Sequence, residues 1–160
     1  MLEGGGDIKF IARRLIILAS EDIGLANPNA LLLANTTMQA IQVIGMPEAR
    51  IILSQATIYL ANSQKSNSAY EAINKAMSSV KETGNLSIPL QIRNAPTKLM
   101  KDNGYGKGYK YSHSYSGNFV AQEFMPEEMI GEVFYNPGKN QQENKSLEEL
   151  RKKWEKYYKS

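Results

Sequence analysis

The sequence predicts an all-α fold, an array of antiparallel helices. Three observations carry that reading. Apolar residues recur every three or four positions through four successive segments, glycines and prolines punctuate the gaps between them, and the connecting turns are short enough to make consecutive helices antiparallel neighbours. Each element has its own start and stop. After Gly4, Gly5 and Gly6, Asp7 can cap a first helix whose stripe is Ile8, Ile11, Leu15 and Leu18, and Gly24 stops it. The pair Asn27-Pro28 opens a second, with asparagine as N-cap and proline at the first helical position, where its missing N–H costs nothing. That helix runs to about Val43, and Gly45 ends it. Pro47 opens a third helix with Ile51, Ile52, Ala56, Tyr59 and Leu60 as its buried stripe. Ser66 or Asn67 caps a fourth, which carries Tyr70, Ile73, Ala76, Met77 and Val80 up to Gly84. Residues 1–84 are expected to be a helical core.

Composition changes at about Asn85. Residues 85–138 hold Pro89, Pro96, Pro126 and Pro137, the glycines Gly104, Gly106 and Gly108, and the aromatics Tyr105, Tyr109, Tyr111, Tyr115 and Phe119. This is a loop-rich aromatic extension with room for one short strand pair. Periodicity returns in residues 139–160 as a C-terminal amphipathic helix. Leu147, Leu150, Trp154 and Tyr157 line one side, while Glu148 with Lys152 and Glu149 with Lys153 stand one turn apart on another. The apolar side is expected to dock on the helical body. At 160 residues the whole is one structural domain, long enough to hold together on its own core.

Composition excludes more than it identifies. The chain has no cysteine, which removes disulfides, thiolate metal sites and cysteine nucleophiles. It has 1 histidine, His113, so no histidine pair can bind a metal. A net charge of +3 permits an acidic partner without demanding one. Residues 1–7 are acidic and glycine-rich, unlike an export signal, and the most apolar run, residues 15–18, is far too short to span a membrane. The expected location is cytoplasmic, with no membrane partner.

The Gly104-Tyr105-Gly106-Lys107-Gly108 run is not a phosphate-binding loop. A P-loop needs glycine five places before its GK pair and serine or threonine after it, and Lys101 and Gly108 stand there instead. The neighbouring acids Glu21-Asp22 and Glu127-Glu128 diverge by about 100 degrees on a helix and read as helix-end residues, not an acid–base pair. His113, in Tyr111-Ser112-His113-Ser114-Tyr115, reads as a histidine packed among tyrosines and bonded to backbone. No set of acid, base, nucleophile and anion stabiliser converges, so no catalytic residue is assigned.

Two surfaces remain. Arg93, Lys98, Lys101, Lys107 and Lys110 face Asp102 alone in their interval and interleave with Tyr105 and Tyr109, the composition of a groove in which cations meet phosphates and rings stack on bases. Its plainer reading is a cationic loop pinned by its tyrosines. Met38, Ile41, Ile44 and Met46, near a helix end beside residues 31–33, offer more apolar surface than one inward stripe uses and are candidates for an oligomer interface.

The blocks Met1-Leu2-Glu3-Gly4-Gly5, Phe10-Ile11-Ala12-Arg13-Arg14-Leu15 and Ala19-Ser20-Glu21-Asp22-Ile23-Gly24-Leu25-Ala26 strongly resemble the C-terminal region of the replication-associated recombination protein A family. These AAA+ ATPases also include the Werner helicase-interacting proteins. The resemblance continues through Val43-Ile44-Gly45-Met46-Pro47-Glu48-Ala49-Arg50, Lys65-Ser66-Asn67-Ser68-Ala69-Tyr70, Leu90-Gln91-Ile92-Arg93-Asn94-Ala95-Pro96 and Gly106-Lys107-Gly108-Tyr109-Lys110-Tyr111-Ser112-His113, to about Tyr135, and is loose after Gly138. It implies a helical array similar to the collar of clamp loaders, and a domain that assembles homotetramers. The motor, with its ATP and magnesium sites, is implied upstream of Met1, so that this chain needs no cofactor and is no enzyme itself. DNA replication, recombination and repair at stalled forks would be the work of the full-length ATPase, which would meet DNA. The alternative is a single-stranded nucleic-acid-binding module feeding that motor.

Overall fold

A computed structural model describes residues 2–155. Their regular structure is helical: α1 (Ile8–Leu18), α2 (Asn29–Ile44), α3 (Ala49–Ala61), α4 (Ser68–Thr83), α5 (Lys98–Asp102) and α6 (Gln141–Trp154), joined in places by a π-helical turn (Ala19–Ile23) and short 3-10 turns. The chain divides into two compact units, Met1–Lys75 with Phe134–Leu147 and Ala76–Val133 with Glu148–Ser160.

In the first unit the Asp7 side chain caps α1, accepting from the Lys9 N–H at 3.0 Å. α1 packs on α2, and both pack on α3. One cluster of the core joins Ala19, Ile23, Ala30, Ala34 and Leu60, and a second joins Ala12, Ile41, Ala49 and Leu53; Leu15 packs against both. So many alanines at the crossings bring the helix backbones close, and that decides which residues point inward. On α3 the buried set is Ala49, Leu53, Ala56 and Leu60. The stripe read from the sequence is corrected here: Ile51 and Tyr59 are exposed, because the side that α3 turns to its neighbours is centred on Ala49, Leu53, Ala56 and Leu60, with Ile52 packed at the edge of the second cluster.

Asn27 also behaves differently from the expected N-cap. Its carbonyl accepts from Ala30 N–H at 2.9 Å, but α2 has no side-chain cap; the Asn27 amide instead donates to the hydroxyls of Tyr59 and Ser63 at 3.0 and 3.1 Å. Gly24 is a stop for a steric reason. It sits at φ +50°, and a Cβ there would lie 2.8 Å from the Ser66 carbonyl oxygen, while Ser66 N–H donates to the Asp22 carbonyl at 2.8 Å. The expected stripe of α4 is not buried: Tyr70, Ile73, Met77 and Val80 are all about half exposed, and the buried residue of that helix is Ser68.

The second unit is held by other means. Gly104, Gly106 and Gly108 all have φ near +80°, and Gly106 N–H donates to the Leu90 carbonyl at 2.8 Å, so the glycine run is a backbone turn after α5. No strand occurs among the described residues, and the strand pair expected in residues 85–138 is absent from them. Side chains take the backbone groups that a ladder would have used: Gln122 accepts from Lys110 N–H at 2.8 Å, and Glu123 accepts from the N–H groups of Phe124 and Met125 at 2.9 and 2.8 Å. Trp154 stands edge-on to Phe119 and Phe124, with ring centroids 5.3 and 5.9 Å away. It packs on the aromatic extension; Leu150 is half exposed and Tyr157 lies outside the described residues.

Candidate functional site

The basic interval separates into residues that are committed and residues that are open. The Arg93 guanidinium donates through Nε to the Ile88 carbonyl at 2.6 Å and through Nη1 to the Tyr105 hydroxyl at 3.3 Å, and its Cζ lies 5.1 Å from the Tyr105 ring centroid. Arg93 and Tyr105 are brought together onto each other, with two of the five guanidinium N–H donors engaged. Lys98, Lys101, Lys107 and Lys110 are exposed, as are Tyr109 and Tyr111. His113 is exposed too, its ring 5.1 Å from that of Tyr111.

The Gly104–Gly108 turn opens no helix, so it lacks the helix N-terminus on which a P-loop seats its phosphate. Glu21 and Asp22 sit in the π-helical turn, and Glu127 and Glu128 in a 3-10 turn, each pair in the first turn. Among the described residues no three metal-binding side chains cluster, and no helix is long and apolar enough to cross a membrane.

A titratable cluster that the sequence does not single out lies in the first unit. Glu143, at the start of α6, accepts from Ser68 Oγ at 2.6 Å and from the Tyr135 hydroxyl at 2.7 Å, and its own N–H donates to Asn140 Oδ1 at 3.0 Å. Asn140 in turn donates to Gln64 at 2.9 Å. Burial pushes the Glu143 carboxyl up, but the hydroxyls of Ser66, Ser68 and Tyr135 outweigh it and hold the carboxyl below its usual range. Burial, together with the Glu143 hydrogen bond and charge, pushes the Tyr135 hydroxyl up to about 12. Ser68 and Glu143 are each only 4% exposed, so no substrate reaches the pair; the cluster is a lock between the starts of α4 and α6. No spacing signal could have revealed it, since Ser68 and Glu143 are 75 residues apart.

The apolar candidates also separate. Ile41, 1% exposed, belongs to the core of the chain and is not free to meet another molecule; Met38 packs against the same cluster, half-buried. Ile44 and Met46 are open to solvent. Two further surfaces are not marked by the sequence reading. One is a shallow depression along α3, lined by Arg50, Ile51, Ser54, Gln55 and Ile58. The other is a groove whose apolar walls include Ile16, Ile17, Leu31, Tyr70 and Ile73. A signal for the first is present: residues 51–64 contain no charge, unusual for a helix with a wet face.

A family model described as "MgsA AAA+ ATPase C terminal" matches residues 1–155. The chain belongs to this family. Within it, the replication-associated recombination protein A of Coxiella burnetii is 46% identical over 138 residues, 86% of this chain and 31% of that protein. The Escherichia coli protein of the same name is 36% identical over 151 residues, 94% of this chain and 34% of that protein. ATPase WRNIP1 of Dictyostelium discoideum is 41% identical over 136 residues, 84% of this chain and 16% of that protein. The chain thus spans about a third or less of the relatives it matches, and corresponds to the C-terminal domain of the family.

Proposed function

We propose that this chain is the homo-oligomerisation domain of an AAA+ ATPase that serves DNA replication, recombination and repair at stalled forks, and that it assembles as a homotetramer. The observation that supports this is the apolar surface the first unit leaves in water: Ile17, Leu31, Ile44, Met46, Ile51 and Ile58 are between 41% and 62% exposed. They fall in more than one place, on the α3 depression and in the groove lined by Ile17 and Leu31. A tetramer of dihedral symmetry needs two self-complementary patches, whereas a single patch gives only a dimer. ATP and magnesium belong to the motor of the whole protein, and this domain turns over no nucleotide. Light scattering at several concentrations tests the reading: a tetramer mass at micromolar chain without ATP or DNA is expected, and a monomer mass overturns it.

The exposed lysines favour a second reading, in which residues 98–110 hold single-stranded nucleic acid for the motor. Replacing Lys98, Lys101, Lys107 and Lys110 with alanine should weaken binding of a single-stranded oligonucleotide and flatten its dependence on salt, by about 0.7 in log–log slope for each phosphate no longer neutralised. Equal affinity and equal slope remove this reading.

A further inference from the structure

We infer that α3 pairs with α3 of a second copy, antiparallel, about a two-fold axis passing between Ser54 and Gln55. This rests on the self-assembly proposed above and names the surface that performs it. The inward stripe of α3 is Ala49, Leu53, Ala56 and Leu60. At about 100 degrees per residue, Ile51 and Ile58 lie on the opposite side, and they are 62% and 60% exposed. Between them lie Ser54 and Gln55, and the whole helix carries one charge, Arg50.

The other polar side chains of this segment turn back on their own backbone. Thr57 Oγ1 donates to the Leu53 carbonyl at 2.8 Å, Asn62 to Ile58 at 2.8 Å, and Ser63 to Tyr59 at 2.9 Å. What remains on the outer face is apolar with a small polar centre. Nucleic acid would need cations there, and a membrane surface would need a lysine- or arginine-rich rim; Arg50 alone supplies neither.

A second copy fits because the face matches its own reverse. Ile51 and Ile58 are two turns apart with Ser54 and Gln55 at their midpoint, so turning the helix end for end sets each Ile51 on Ile58 of the other copy. Ser54 is small enough for the axes to approach to the usual 8–10 Å of packed helices, and the Gln55 amide has both a donor and an acceptor for the Ser54 hydroxyl of the other copy. Charge selects the direction. Parallel helices would set the two Arg50 side chains together, whereas antiparallel helices separate them by about 13 Å along the axis at 1.5 Å per residue, beyond the Debye length of about 8 Å in physiological salt.

Because the chain has no cysteine, single thiols report the geometry directly. Ser54→Cys should form a disulfide with its own copy under mild oxidation, since both thiols flank the axis. Ile51→Cys alone should not, but it should cross-link when mixed with Ile58→Cys. The double variant Ile51→Glu with Ile58→Glu should halve the assembled mass to that of a dimer while circular dichroism keeps its helical signal. A monomer mass for the unsubstituted chain removes self-assembly and this pairing together. A tetramer that survives the double variant, with no cross-link at position 54, leaves self-assembly standing and overturns this surface. Self cross-linking of Ile51→Cys with none to Ile58→Cys means parallel helices and overturns the antiparallel pairing.

Discussion

The first unit buries Ala12, Ala19, Ile23, Ala26, Ala30, Ala34, Ile41, Ala49, Leu53, Ala56 and Leu60, whereas among the described residues of the second the buried side chains are Met129 and Gln122. The first is thus built on interlocked helices in which small residues set the spacing. The second ties polar backbone to polar side chains, through Arg93 on Ile88, Gln91 on Glu123 and Gln122 on Lys110, and adds the aromatic contacts of Trp154. The difference teaches where stability resides. Removing apolar volume should hurt the first unit far more than the second.

Leu60→Ala should show this at its largest. Leu60 is fully buried, and its truncation should cost about 3 kcal/mol by denaturant unfolding; a loss under about 1 kcal/mol, the range of small surface effects, would erase the contrast between the units. Gly24→Ala should follow at about 2 kcal/mol or more, since it forces an L residue into positive φ against the Ser66 carbonyl. An unchanged melting temperature would mean that the linker before α4 moves aside freely.

Glu143→Gln should cost about 1.5 kcal/mol near neutral pH, the lower end of what hydrogen bonds to a charged acceptor contribute. It should also change the pH profile. The folded carboxyl titrates below its ordinary 4.5, so the unfolded chain takes up the proton first and stability falls as pH drops through 4.5. At the other end Tyr135 keeps its proton up to about 12 when folded against 10.0 when unfolded, so stability falls as pH rises through that interval. Glu143→Gln should flatten the acid limb and Tyr135→Phe the alkaline one; limbs identical to the parent would show that the lock does not govern them. The smallest effect is expected in the second unit, where Leu99→Ala at a 70% exposed site should stay within about 0.5 kcal/mol. A larger loss would reveal apolar packing there.

The same division explains what is legible in the sequence. Asp7, Gly24, Gly45 and Gly84 mark helix ends because capping and positive φ are local requirements, and the helical class follows from them. The inward face of α3 is easily misread because Ile51 looks more like core than Ala49 does, and only the close approach of a neighbouring helix reverses that preference. Between α4 and α6, in residues 85–133, no helical period guides the reading. That Arg93 stacks on Tyr105, and that Trp154 meets Phe119, follows from loop paths that charge and composition do not encode. The lysines of the candidate nucleic-acid surface are legible for the opposite reason, since a solvated charge keeps its character whatever the loop does.

The hydrogen bond from Ser68 to Glu143 also sets an order of events during synthesis. A ribosome makes the chain from its amino end, so α1 to α3 emerge and can settle on one another long before Glu143 exists. Until it appears, the Ser66–Ser68 hydroxyl relay at the start of α4 has only water to donate to. The first unit therefore joins residues 1–75 to residues 134–147 that are made much later, and a chain that stops short of α6 would carry its core without its lock.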